Sequence, residues 1–245
     1  MTLVCKRCPK SITSWEHSPK NEIEKEFHVK FINLAIIGIF VSLLWLSGCS
    51  RVYYNAMEKM GIHKRDILVD RVEEARDSQE EAKKEFASAL EKFKSVVNFN
   101  GGDLEEKYEE LKAQLEELEA RAQEVHDRIE AVEDVANALF EEWEEELNQY
   151  HSQSLRRASE RKLRETKRRY QQLIRAMKRA EAKIDPVLNP LRDEVLFLKH
   201  NLNARAIASL KGELTKIQTD VSELVRDMER AIDEADAFIK TLQTE

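Results

Sequence analysis

Among the side chains able to do covalent or metal chemistry, the thiols come first: Cys5, Cys8 and Cys49 are the only three cysteines in 245 residues. Cys5-Lys6-Arg7-Cys8 has the spacing of half a zinc site or of a dithiol pair. A zinc site needs two further ligands at suitable spacing, and a redox pair needs a βαβ setting; the surrounding sequence supplies neither. His63, His126, His151 and His200 are scattered singly, so no two share a helix face at i, i+4 as a helical metal pair requires. There is no glycine-rich phosphate loop, no Gly-x-Ser-x-Gly elbow and no nucleophile beside a base. Asp and Glu are abundant, but they fall in runs of the kind that solvate a helix face. The reading is therefore of a protein without catalysis, cofactor or metal.

Cys49 stands apart because of what precedes it. Residues 31–48 (FINLAIIGIFVSLLWLSG) carry no charge over eighteen positions, enough for a membrane span or for the core of a signal peptide. Leu46-Ser47-Gly48-Cys49 closes the run, and this resembles the lipobox of bacterial lipoproteins: Leu, a small residue, Gly, then Cys. The resemblance implies cleavage after Gly48, a diacylglycerol thioether on the Cys49 sulfur and an acyl chain, palmitate or similar, on the new amino group. One acyl chain holds a protein marginally, and two or more anchor it firmly. Ser50 follows the cysteine, and this resembles the outer-membrane sorting pattern, since Asp there implies inner-membrane retention. The expected location is thus the periplasmic side of the outer membrane. Thirty residues precede the apolar run, more than a signal peptide carries, and Val29-Lys30 begins as a short signal peptide begins. Translation is accordingly expected to start at codon 29. This divides the chain into an upstream extension (1–28), a signal peptide (29–48), an anchor-proximal linker (49–68) and a helical domain (69–245).

The elements that would present any surface follow from composition and periodicity. Ala, Glu, Leu, Lys and Arg make up half of the chain, the composition of long helices and coiled coils. Six Gly and four Pro are too few for an all-β or an α/β chain. Asn98-Phe99-Asn100-Gly101-Gly102 is a turn, with Asp103 placed to cap the next helix and Glu106 three residues on. The next breakers are Pro186 and Pro190, after 83 residues free of Gly and Pro. Apolar residues step by four and three through Leu104, Tyr108, Leu111, Leu115, Leu118, Ala122, Val125, Ile129, Val132, Ala136, Leu139 and Trp143, and again through Leu163, Thr166, Tyr170, Leu173, Met177, Ala180 and Ile184. These features predict an all-α, elongated antiparallel coiled coil with one very long central helix, 104–184. Flanking helices over 69–97 and 191–242 would each pack on one half of it and meet near its middle. At ~1.5 Å per residue the central helix would reach roughly 120 Å. His151-Ser152-Gln153-Ser154, where the seam falters, is the weak point, and a break there gives the alternative, a compact four-helix bundle.

Charge divides that helix in two. Residues 103–150 hold 18 acidic and 4 basic side chains, and residues 151–183 hold 12 basic and 3 acidic ones. Arg156, Arg157, Arg161, Arg164, Arg168 and Arg175 are the candidate interaction residues of the basic half. One expectation is an antiparallel homodimer, acidic half on basic half; another is contact with an anionic envelope surface. A second candidate surface is the stretch from Phe197 to Leu210, where His200, Asn201, Asn203 and Arg205 interrupt a run of small residues. It is read either as close helix packing with Asn fixing register or as a docking face for an envelope protein.

The lipobox, Arg51-Val52-Tyr53-Tyr54, Gly61-Ile62-His63-Lys64-Arg65 and the 197–210 stretch together resemble an uncharacterised family of Gram-negative lipoproteins, a domain of unknown function, over about 45–245. The resemblance implies a helical build and an envelope location and no activity; of site residues it lends Cys49 alone. The expected function is that of an acylated, non-enzymatic scaffold, spacer or adaptor held to the bilayer through Cys49. The first alternative is an inner-membrane coiled coil with an uncleaved N-terminal helix. The second is a cytoplasmic nucleic-acid binder using 156–183, disfavoured by the net charge of −7 and by the acidic stretch alongside.

Overall fold

In a computed structural model the chain divides into Met1–Val52 and Tyr53–Glu245. The structure describes Tyr54, Met57 and residues 61–97, 104–201 and 204–243. The described part is all-α, with helices α1 (Lys64–Val97), α2 (Leu104–Glu146), α3 (Gln153–Glu181), α4 (Ile184–His200) and α5 (Ala204–Gln243). Cys5, Cys8, Cys49 and the whole 31–48 run lie outside the described residues, as does the turn expected over 98–103.

Each helix buries the stripe that its apolar spacing marks out. Leu111, Leu118, Val125, Ile129, Val132, Ala136 and Phe140 of α2 are buried, and so are Leu163, Tyr170, Leu173, Met177 and Ala180 of α3. The stripes merge into one core, in which Phe140 meets Tyr170 edge-on at 5.4 Å and Tyr170 lies 6.3 Å from Phe238 of α5. Edge-on ring pairs at such separations add to simple area burial. Helix α1 starts five residues before the expected Val69. Gly61, at φ +84°, takes the left-handed conformation that glycine adopts without steric cost, and the Ile62 amide donates to the Met57 carbonyl at 3.1 Å. Lys64 then reaches Glu142 at 3.0 Å.

The continuous central helix is corrected. α2 ends at Glu146, and a 3₁₀ turn (Leu147–Gln149) and an extended Tyr150 (φ −70°, ψ 122°) lead to Ser152. The Ser152 Oγ caps α3 by accepting from the Leu155 amide at 3.4 Å. The chain reverses here, so α3 returns along α2: Lys167 meets Glu144 at 2.5 Å, Lys178 meets Glu133 at 2.7 Å, and His126 meets Glu181 at 2.6 Å. Two causes act together. The apolar seam shifts out of step at Leu147, Tyr150 and Leu155, so a straight helix would carry one half of its stripe away from the core. The last turn of α2 has no basic residue and is crowded with carboxylates, which the helix dipole disfavours at a C-terminus. Reversal puts those carboxylates beside the basic helix. Part of the acid-on-base pairing expected between two chains is thus made inside one, along the flanks of α2 and α3.

The Pro186–Pro190 turn is also corrected. α3 and α4 are separated only by Ala182 and Lys183, and both prolines sit within α4. Pro186 falls in the first turn, where its missing amide would have had no helical partner. The chain turns instead after Asn201, whose amide donates to Leu198 O at 3.0 Å. α3 and α4 therefore form one leg beside α5, tied by Arg169–Thr241 (3.1 Å) near one end and by Lys183–Asp227 (2.7 Å) in the middle. Arg192 of α4 reaches Glu119 of α2 at 2.6 Å. α1 runs antiparallel to α2, with Arg128–Glu74 at 2.8 Å setting Val69 near Val132 as expected, and Arg76–Asp236 (3.0 Å) joins it to α5. α1 and α5, expected end to end on the long helix, lie side by side. The result is an up-down-up-down bundle of four legs: α1, α2, α3 with α4, and α5. Leu242 closes beside Arg65, Leu139 and Trp143, so α1 begins, α5 ends and the 147–152 reversal lies at one end of this bundle.

Candidate functional site

The basic residues of α3 sort into two groups by the face they occupy. Arg157, Arg161, Arg164, Arg168, Arg175 and Arg179 recur at steps of four, three, four, seven and four, which keeps them within about 40° of one line along the helix. All six are exposed, and among the described residues none is in an ion pair. Their neighbours on the flanks are paired: Arg156 with Glu160 (3.1 Å), Lys167 with Glu144, Arg169 with Glu165 (2.9 Å) and Lys178 with Glu133. Of the arginines expected here, Arg156 lies off the line and the other five lie on it. Arg179 was missed as a site residue, although its spacing of eleven from Arg168 and four from Arg175 was readable.

The core stripe of α3 explains why the arginines face outward. Leu163, Thr166, Tyr170, Leu173, Met177 and Ala180 fill the inward side, and the arginine positions are those opposite. The groove at the α2–α3 seam is lined by Asn137, Phe140, Glu141, Glu144, Lys167, Tyr170 and Gln171, with Lys167 Nζ 5.4 Å from the Phe140 ring centre. Burial, with Glu133 nearby, raises the Tyr170 hydroxyl above its ordinary value and keeps it neutral. At the other end of the seam, the hydrogen bond that His126 Nδ1 donates to the Glu181 carboxylate, despite some desolvation, holds exposed His126 protonated to higher pH than usual.

The second candidate surface is not a mid-helix face. His200 ends α4 and is exposed, and Asn201 follows it with its Nδ2 donating to Phe197 O at 3.0 Å. Asn201 thus ends a helix, as short amides do when they compete for backbone carbonyls. Asn203 and the Arg205 side chain lie outside the described residues. Beside Asn201, Leu196 and Phe197 are 59% and 38% exposed, an apolar pair open to solvent among the described residues of the far end.

Buried polar groups were not foreseen. At the joint between α3 and α4, Asp227 is 6% exposed. It receives Lys183 and Arg230, each at 2.7 Å. Burial pushes its carboxyl upward, but these cations outweigh burial and hold it below the usual range. Glu194 is buried with one oxygen lacking a partner among the described residues, and burial, then Glu213 and Asp193, raises its pKa. The Gln79 amide is fully buried in the core, also without a partner there. Among the described residues no group of His, Cys, Asp and Glu could hold a metal, and no helix is long and apolar enough to cross a membrane.

Leu46, Ser47, Gly48 and Cys49 lie upstream of all this geometry. No curated protein and no solved structure matches the chain. A family model does, over residues 53–242, which takes in α1 to α4, all but the last residue of α5 and the arginine line of α3. The chain belongs to the family described as protein of unknown function (DUF2959).

Proposed function

We propose that this protein is an acylated, non-catalytic helical adaptor, held through Cys49 at the periplasmic face of a Gram-negative outer membrane. The observation that carries the reading is the place of Leu46-Ser47-Gly48-Cys49. It closes an uncharged run of eighteen residues and stands just before the family domain, which begins at Tyr53. The bundle supports an adaptor over a long spacer. Its legs are set by ion pairs along their flanks, and its longest helix, α2, has 43 residues, a length of about 65 Å. Leu196, Phe197 and His200 lie at the end away from where the chain enters, the end a tethered bundle holds out to a partner.

The test follows processing in cells. Globomycin treatment or Cys49→Ala is expected to make a larger precursor accumulate and to remove label from a fed alkyne-palmitate. A chain of unchanged size that stays in the membrane fraction overturns the reading in favour of an uncleaved anchor. A chain found in the soluble fraction without treatment overturns both.

A further inference from the structure

The pairing within the α2–α3 hairpin uses the flanks of the two helices, through Lys167–Glu144 and Lys178–Glu133. Their outward faces remain open and carry opposite signs. The arginine line on α3 extends for about 33 Å. On α2, Glu116, Asp127, Asp134 and Glu145 recur at steps of eleven, seven and eleven, which holds them within about 20° of one line. All four are exposed, and Asp127 accepts a hydrogen bond from Gln123 at 2.8 Å. The flank pairs fix the heights. Glu133 meets Lys178, so Asp134 lies level with Arg175 and Arg179; Glu144 meets Lys167, so Glu145 lies level with Arg164 and Arg168. A positive ridge therefore runs beside a negative ridge at matching height, on helices whose axes pack roughly 10 Å apart.

We propose that two copies of this chain pair through this face, about a two-fold axis parallel to the bundle, with α3 of each lying on α2 of the other. Rotation about such an axis exchanges left and right and leaves height unchanged, so each arginine ridge meets a carboxylate ridge in register. The arrangement closes at two copies and builds no filament. It also leaves both α1 starts at the same end, so chains tethered to one membrane meet side by side. An anionic bilayer or a nucleic acid fits the face less well, because a flat or long polyanion laid on the arginines also meets the acidic ridge of the neighbouring helix. Exposed ion pairs are weak singly and screened by salt, so the contact rests on several pairs made together along the two ridges, and tethering to one surface adds to it. The pairing does not depend on acylation: the Cys49→Ala chain carries the same two ridges and pairs equally at the same concentration in detergent.

Sedimentation of the full chain in detergent micelles tests this. The wild type is expected to dimerise at about 50 mM NaCl, with Kd rising at least about tenfold at 500 mM. Arg164→Glu/Arg168→Glu/Arg175→Glu makes both ridges acidic, and Asp127→Arg/Asp134→Arg/Glu145→Arg makes both basic. Each variant alone is expected to be a monomer of unchanged helix content by circular dichroism, and an equal mixture to form the dimer again. Should a reversal fail to fold, the milder Arg164→Gln/Arg168→Gln/Arg175→Gln chain must still weaken the dimer. The proposal is overturned by a wild-type monomer at low salt, by a dimer indifferent to salt, by either reversed variant dimerising alone, or by a mixture that stays monomeric. A wild-type monomer whose 157–179 segment becomes resistant to trypsin on nanodiscs containing anionic lipid assigns the face to a bilayer instead.

Discussion

Residues 147–152 contain neither glycine nor proline, and they reverse the chain. Residues 184–190 contain two prolines, and they stay helical. The difference lies in what surrounds each segment. Ile184, Val187, Leu188 and Leu191 are all buried, so α4 continues the apolar stripe of α3 against the core across the prolines. At 147–152 the stripe loses step, Tyr150 and Leu155 are left exposed, and five carboxylates crowd the six residues before the turn. Continuity of the buried stripe, with charge in support, decides where this chain bends; local breakers come second.

The largest test empties that stripe. Leu173 is fully buried in α3, and Leu173→Ala is expected to cost about 3 kcal/mol in urea unfolding. A loss below about 1 kcal/mol would show that the returning helix is not held by its core face. Next comes the tolerated breaker. Pro190 lacks the amide that would bond to the Pro186 carbonyl, so Pro190→Ala is expected to stabilise by about 1 kcal/mol. A destabilised variant would mean that the proline shapes the leg and is not merely endured.

The cap at the reversal should matter less. The Ser152–Leu155 contact is long at 3.4 Å, and Ser152→Ala is expected to cost about 0.5 kcal/mol with the hairpin retained. Loss of the far-ultraviolet helix signal on this one change would make the cap, and not the stripe, the determinant. The smallest effect is at His126. Its pKa is raised by Glu181, so the α2–α3 clasp is fully present below the ordinary histidine value near 6.5 and is lost as pH rises through the raised value. A proton NMR titration should place His126 above that ordinary value and show it falling on Glu181→Gln; no change would deny the clasp.

The buried stripes were legible because they are local: Leu111, Leu118, Val125 and Val132 announce a helix face by spacing alone. The reversal at 147–152 was visible only as a weak place. What completes it is the meeting of Glu133 with Lys178 and of Glu144 with Lys167, partners 45 and 23 residues apart. Asn201 was open to a register reading because nothing local separates a core Asn from one that ends a helix. In the candidate site, the arginine line follows from heptad spacing. The acidic ridge does not, because eighteen acidic side chains within 103–150 look alike until the structure shows which of them α1 and α3 engage. Cys49 is singled out by its motif alone and lies outside the described residues.

Helix α1 begins at Lys64 and α5 ends at Gln243 on the same end of the bundle. Direction of pull therefore decides how the fold resists force. Drawing the two chain ends apart peels α1 from α5 one layer at a time, beginning at the layer near Arg65 and Leu242. Tension between the entry point and the Leu196–Phe197 end instead slides whole legs past each other, and every buried layer along them must yield together. A partner gripping that far end would pull the bundle along its stiff axis.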